Sequence, residues 1–285
     1  MMLTVLEALN GASDYLQNKG IKSARLNSEL LLAHVLNCKR LELYLSFDRP
    51  LQKSETDSYR ELLKRRSTFE PLQYIIGKVE FYGLEFEVNR SVLIPRPETE
   101  MLVEAVIDSV KKDEKISILD IGSGSGNIAV ALAKNIPSSK VIGLEISEKA
   151  VETSIRSAKL NGVENQVIFI QKNILNGIDV PQSDFDVVVS NPPYVSINDF
   201  DNLDPELRLY EPKIALTDEG DGLSFYRKIS VLSRSLLKKN GKIFFEIGTG
   251  QSEAVKSILL ENNFTNIVIK KDYSDIERII IGEKI

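Results

Sequence analysis

Asn191-Pro192-Pro193-Tyr194 gathers hydrogen-bond acceptors and a flat ring into four consecutive residues. Asn191 offers a side-chain carbonyl, Pro192 a backbone carbonyl with no N–H of its own, and Tyr194 an aromatic face. Two acceptors and a ring suit a planar, conjugated NH2 group: each acceptor takes one hydrogen and the ring stacks on the plane. The apolar run Phe185 to Val189 before it reads as a buried parallel strand. Two prolines end such a strand and stiffen the loop after it, at the carboxyl end of a sheet, where open α/β folds place their chemistry. A plain strand-ending turn with a solvent-facing tyrosine is the bland alternative. It competes poorly beside a second stretch, rich in glycine.

That stretch is Asp120-Ile121-Gly122-Ser123-Gly124-Ser125-Gly126, set between a predicted strand (116–121) and a predicted helix (127–135). Glycines let a ligand approach the backbone, and the helix start supplies unpaired N–H groups. Glu145 ends the next predicted strand (140–145), about 20 residues on, where an acid can grip ribose hydroxyls. This is also the outline of a dinucleotide site, but the dehydrogenase spacing needs glycine at 127, and Asn127 stands there. The spacing of Asp120, Gly122, Ser123, Gly124, Ser125 and Gly126 fits S-adenosylmethionine better, with the Asp120 carboxylate free to face a sulfonium.

Strands and helices must alternate to hold these loops. Beyond those named, helices are expected over 98–110, 147–161, 226–239 and 251–262. Strands are expected over 167–171, 185–190 and 241–247, with a closing pair at 267–271 and 277–282. The alternation implies a doubly wound, mostly parallel sheet with an antiparallel edge. Residues 1 to about 70 read instead as helices. Leu3, Leu6, Leu9, Tyr15 and Leu16 give one apolar face, and Leu26, Leu30, Ala33 and Leu36 a second behind a Ser23 cap. Ser54 with Asp57 resembles a capping pair. Lys64-Arg65-Arg66 either complements a helix dipole or forms a docking patch. Val79–Tyr82 and Leu84–Val88 around Gly83 suggest a hairpin. The expected domains are therefore 1–75, a linker at 76–92, and 93–285.

The 285 residues, 42% hydrophobic and 27% charged, suffice for a full core. A net charge of −5 argues against nucleic acid held by bulk electrostatics. The single cysteine, Cys38, excludes an internal disulfide and fits a reducing compartment. The single histidine, His34, lies in a helical pattern far from the central loop, which argues against a His-based triad or metal site. With no apolar leader or membrane-length segment, a cytoplasmic protein is expected.

Taken together, the glycine loop and Asn-Pro-Pro-Tyr resemble the class I S-adenosylmethionine-dependent methyltransferases that modify NH2 groups. The likeness is closer still through Pro71 to Gly77, Ile94 to Glu100, and Glu211-Pro212 with Asp221-Gly222-Leu223. With these the chain resembles, over nearly its whole length, the release factor glutamine methyltransferase (PrmC or HemK) family. The resemblance implies a seven-stranded methyltransferase sheet behind a small all-helical amino-terminal domain that recognises the partner. It implies S-adenosylmethionine as cofactor and S-adenosylhomocysteine as product. Asn173 and Ile174 would then lie beside the adenine, although the family usually has aspartate and often an aromatic there. Asn191, Pro192, Pro193 and Tyr194 would bind the glutamine, with Asn191, Pro192 and Tyr194 catalytic and Asn191 also bordering the cofactor. The implied acceptor is the glutamine of the Gly-Gly-Gln motif in class I peptide chain release factors, approached by a monomer. An amide nitrogen is a poor nucleophile. Holding both its hydrogens lets it pyramidalise and attack the methyl directly, without prior deprotonation. An adenine-N6 methyltransferase acting on nucleic acid is the competing enzyme; a dehydrogenase and an inert binding module stand behind it.

Overall fold

The computed structural model describes residues 3–111, 114–177 and 184–285. The chain divides into two units: Met1–Gly77 with Asp204–Tyr210, and Lys78–Leu203 with Glu211–Ile285.

In the first unit, α1 (Val5–Asn18), α2 (Ala24–Leu36), α3 (Arg40–Tyr44), α4 (Lys53–Ser67) and α5 (Leu72–Ile76) enclose one apolar core. Thr4 caps α1: its hydroxyl accepts from the Glu7 amide at 3.2 Å, and the Glu7 carboxylate accepts from the Thr4 amide at 2.9 Å. The buried face of α1 is Val5, Ala8, Leu9, Ala12 and Leu16, while Leu3, Leu6 and Tyr15 stay largely exposed. Counting only the large side chains misplaces this face, because the alanines pack too. The face of α2 is likewise displaced. Leu26 is exposed, and Asn27, Ser28 and Glu29 are buried because each finds a polar partner. Arg66 Nε donates to Asn27 Oδ1 at 2.7 Å, Tyr59 Oη to the Ser28 carbonyl at 2.9 Å, and Tyr44 Oη to Glu29 at 2.6 Å. Ser23 makes no side-chain cap; its φ of 51° turns it out of capping geometry. The α4 cap comes from Gln52, whose amide donates to Glu55 at 2.8 Å, not from Ser54 and Asp57. Nor do the three basic residues of α4 form one solvated patch. Arg65 clasps Glu70 with two bonds of 2.9 Å, and Arg66 is 3% exposed.

The second unit begins with a hairpin, β1 (Lys78–Phe81) and β2 (Leu84–Glu87). Tyr82 and Gly83, with φ of 52° and 70°, form its two-residue turn. Phe81 and Phe86 are buried in the core of this unit, so the hairpin is part of it. Next in the chain are α6 (Pro97–Ser109), β3 (Ser117–Ile121), α7 (Asn127–Asn135), β4 (Lys140–Glu145), α8 (Glu148–Leu160), β5 (Val167–Gln171) and β6 (Phe185–Ser190). Three short helices come after β6: α9 (Ile197–Phe200), α10 (Pro205–Tyr210), which groups with the first unit, and α11 (Lys213–Leu216). The chain closes with α12 (Ser224–Leu236), β7 (Leu237–Glu246), α13 (Ser252–Glu261), β8 (Phe264–Lys271) and β9 (Glu277–Lys284).

The seven-stranded sheet has the order β5-β4-β3-β6-β7-β9-β8, parallel except for β9, which is antiparallel to both neighbours. Alternate strand residues serve opposite layers. Ile118, Val187, Val189 and Phe244 pack toward α6, α7 and α8; Leu119, Val188, Ile243 and Phe245 pack toward α12 and α13. Several boundaries differ from expectation: β7 begins at Leu237, β8 at Phe264, and α12 spans Ser224–Leu236. The helix ends at Leu236 and not at 239, because Leu237 already pairs with Phe185 and Lys238 reaches Asp186 at 2.7 Å. A register shift between Phe185 and Val187 then carries the strand past Asn240, at φ 61°. Strand order reverses between β3 and β6, so their carboxyl ends border the crevice.

Candidate active site

A cavity of about 590 Å³ opens at those strand ends. Gly122 and Gly124 line it after β3, Glu145 after β4, Asn173 and Ile174 after β5, and Asn191, Pro192 and Pro193 after β6. Residues 91–93, 212–215 and 217–219 also line it.

The glycine loop is held by its neighbour strand: the amides of Gly122 and Ser123 both donate to the Leu144 carbonyl, at 2.8 and 3.0 Å. Gly122 (φ 77°) and Gly124 (φ 54°) lie in the left-handed region, and a Cβ on either would meet nothing within 4 Å. The open backbone there is a cradle. Gly126 (φ 81°) serves packing instead, since its Cβ would lie 2.9 Å from Phe169 and Ser154. Ser123 and Ser125 are buried, and with Gly126 they lie off the cavity wall. Glu145 accepts from the Gly124 amide and the Ser147 amide, each at 2.9 Å. Each carboxylate oxygen keeps a second lone pair for a hydroxyl. Asn173 caps the 3-10 turn Ile174–Asn176, its Oδ1 accepting from the Leu175 amide at 2.9 Å. Cradle and acid fit a nucleoside-bearing sulfonium such as S-adenosylmethionine.

Asp120 is a correction. Its side chain is 0% exposed and lies off the cavity wall, with no counter-charge beside it and the Ala129 backbone amide facing its carboxyl. Burial pushes its pKa up to about 8; the Ala129 amide opposes this and the charge of Glu145 adds to it. Burial thus favours the neutral carboxyl, and a group off the cavity wall does not face a sulfonium held there.

The Asn191–Tyr194 loop is braced from several sides. Ser190 Oγ donates to the Ile121 carbonyl at 2.6 Å, tying the ends of β6 and β3. Gln251 donates from Nε2 to the Tyr194 carbonyl at 2.9 Å and accepts from the Gly248 amide at 3.0 Å. The Tyr194 ring packs on Gly248 and against the α12–α13 layer, and does not line the cavity; burial pushes its pKa up to about 12. Asn191 Nδ2 donates to Thr99 Oγ1 at 3.2 Å, and Thr99 donates to Glu246 Oε2 at 2.7 Å.

Thr99, Glu246 and Gln251 escaped sequence reasoning as site residues. Thr99 does sit inside the 94–100 stretch, and Glu246 is an acid ending a run of strand apolars. That second pattern is the one signal that could have found it. The stretches around Arg96 and Glu211 meet in space: Arg96 pairs with the buried Glu211, which also accepts from the Ile94 amide at 3.2 Å.

A seven-stranded sheet with this antiparallel member, a glycine loop after its first parallel strand and an acid after the next define a class I methyltransferase. Comparisons agree. Residues 7–77 match the PrmC N-terminal domain, and residues 112–275 match a methyltransferase domain. The release factor glutamine methyltransferase of Fusobacterium nucleatum is 42% identical over 98% of this chain and 78% of its own length. That of Geobacter sulfurreducens is 39% identical over 98% and 96%. The crystal structure of a methyltransferase from Pyrococcus furiosus shares the fold, with a TM-score of 0.53 at 17% identity over 72% of this chain and 90% of that one. The chain belongs to the release factor glutamine methyltransferase family.

Proposed function

We propose that this enzyme methylates the side-chain amide nitrogen of the Gly-Gly-Gln glutamine in class I peptide chain release factors, with S-adenosylmethionine as cofactor. The observation that carries the reading is that Asn191 and Pro192 share one cavity with the glycine cradle and Glu145. Gly122, Gly124 and Glu145 would hold the cofactor, with Asn173 and Ile174 beside its adenine. The cofactor supplies a methyl group on a sulfonium.

The protein's own task is to present the acceptor. Asn191 Oδ1 and the Pro192 carbonyl each take one hydrogen of the amide NH2, which aims the nitrogen lone pair along the transfer axis. Positioning of this kind removes much of the entropic part of a barrier. The same oxygens stabilise the positive charge that develops on nitrogen as the sulfur–methyl bond breaks, and the methylated nitrogen, now acidic, then loses one of its hydrogens as a proton. Pro193 stiffens the loop. In this reading Tyr194 anchors the loop through its carbonyl and its packed ring. Two glycines beside the acceptor let a release-factor loop enter without side-chain clashes. The bundle of α1–α5 recognises the release factor. Among the described residues no helix is long and apolar enough to cross a membrane. We take the enzyme to be a cytoplasmic monomer that does not act on nucleic acid.

The test is mass spectrometry of a release factor after incubation with enzyme and cofactor. One added methyl on that glutamine is the expected result. No gain there, with methyladenine appearing in DNA under the same conditions, would overturn it.

A further inference from the structure

An asparagine amide has two faces of opposite character, and only one of them serves the transfer. Oδ1 accepts hydrogens and Nδ2 donates them, so a flipped Asn191 would set an NH2 against the incoming NH2. Something must hold the orientation. Asn191 Nδ2 donates to Thr99 Oγ1 at 3.2 Å, and the Thr99 hydroxyl donates to Glu246 Oε2 at 2.7 Å. Thr99 and Glu246 are each 2% exposed, so no bulk water replaces these partners.

We propose that Glu246, acting through Thr99, is a positioning residue for methyl transfer: it sets the direction of the hydrogen-bond chain that turns Asn191 Oδ1 toward the acceptor amide. This rests on the assignment of Asn191 as the group that receives the NH2. The direction comes from donor accounting. An ionised carboxylate can only accept. Thr99 has one hydrogen and must give it to Glu246, leaving its lone pairs for Asn191 Nδ2. With the Asn191 amide reversed, Oδ1 would face a hydroxyl oxygen whose hydrogen is already committed. The Asn191 NH2 also faces the Glu246 carboxyl itself, so that carboxyl meets donors from two residues. A glutamine at 246 has one accepting end in place of two, and its NH2 can donate to Thr99, so the chain no longer has a single direction.

The chain has one direction only while Glu246 is ionised. Burial pushes its pKa up to about 7, with Thr99, Arg278 and Asn191 pulling down and Glu98 pushing up. These groups come from α6, β9 and the transfer loop. Tyr194 of that loop and Tyr226 of α12 face it too, the Tyr226 hydroxyl donating to the Glu246 backbone carbonyl at 2.9 Å. Once protonated, Glu246 can itself donate to Thr99, whose hydrogen is then free to turn toward Asn191. Both orientations of the amide become available, and transfer slows as pH falls through about 7.

The experiment measures kcat and KM for methylation of a release factor between about pH 5.5 and 8.5, a span on either side of that pKa, with cofactor affinity by calorimetry. Wild type should lose kcat below about pH 7. Glu246→Gln should lose kcat on the order of 10- to 100-fold at about pH 8, by analogy with loss of partners that orient metal ligands. It should keep KM and cofactor affinity and lose the pH step. Thr99→Val should behave in the same way, and Thr99→Ser should retain wild-type kcat, which separates the hydroxyl from the shape of the side chain. Should Glu246→Gln fail to fold, the Thr99 pair decides. Equal kcat for Thr99→Val and Thr99→Ser would overturn the proposal, as would a folded Glu246→Gln enzyme with wild-type kcat and pH profile. Asn191→Ala separates the two levels. If that variant turns over normally, the assignment of Asn191 fails. If it is slow while the Glu246 and Thr99 variants are normal, only the positioning role of Glu246 fails.

Discussion

A carboxyl group buried without a counter-charge destabilises a fold whenever it is charged, and Asp120 is in that position. Its pKa rises from an ordinary 3.8 to about 8 in the folded chain. Between those values the unfolded chain has lost the proton and the folded chain keeps it, so stability falls as pH rises through this window and levels off above it. Asp120→Asn removes this group's share of the slope, on the order of 1.4 kcal/mol for each pH unit of the window. Denaturant titrations at about pH 5 and about pH 8, inside and at the top of that window, should therefore show a smaller loss for the variant than for wild type; equal losses would mean that Asp120 does not titrate this way. Glu145 is the opposite case, a carboxylate kept accessible and pre-aimed by two backbone amides. Glu145→Ala should weaken cofactor binding by about 1.5–3 kcal/mol, or roughly 10- to 150-fold. Calorimetry showing unchanged affinity for S-adenosylmethionine would remove Glu145 from the cofactor site.

Elements succeed or fail as signals according to whether the cause of their shape is local. β3, β4 and β6 were legible because buried apolar runs bounded by glycine, proline or acid carry their own boundaries. The glycine loop was legible because positive φ leaves its mark in residue type. The end of α12 was not, because Leu237 extends to pair with Phe185, a residue far off in sequence. Asn27, Ser28 and Glu29 hid the buried face of α2, since their partners Arg66, Tyr59 and Tyr44 sit on other helices. In the site, Asn191 announced itself by its prolines, whereas Thr99 and Glu246 act only through a contact between α6 and β7. The loop before α12 shows how far such contacts reach. Asp218 gathers the amides of Gly220, Gly222 and Ser224, each at 2.9 Å, and Gly222 (φ 78°) passes close against the Tyr194 carbonyl. Gly222→Ala would place a methyl on that oxygen and cost about 1–2 kcal/mol for the backbone alone. The expected outcome is a melting point lower by about 2–4 °C per kcal/mol, with kcat reduced and cofactor affinity kept, read by calorimetry and a methylation assay. Wild-type kcat would show that the loop tolerates the shift.

At the scale of the whole chain, Gly122, Gly124, Glu145 and the Asn191–Tyr194 loop all belong to the second unit, which has its own two-layered core. A chain starting at Lys78 is therefore expected to bind S-adenosylmethionine as the full chain does. On intact release factor its KM should rise roughly 10- to 100-fold, the scale of losing a few strong interface contacts. Equal KM for the two chains would take partner recognition away from the bundle. The division in sequence is not a single cut, however. Asp204–Tyr210 leaves the second unit to join the first, where Glu206 pairs with the buried Arg66 and Tyr210 Oη donates to the Thr68 carbonyl at 2.8 Å. The bundle is thus not a cassette. A chimera that takes residues 1–77 from a relative of different specificity, but keeps the native 204–210, would set a foreign helix against the old Glu206. Grafts that move both segments together should exchange partner preference with their folding intact, and grafts that move only the first should express poorly or melt early.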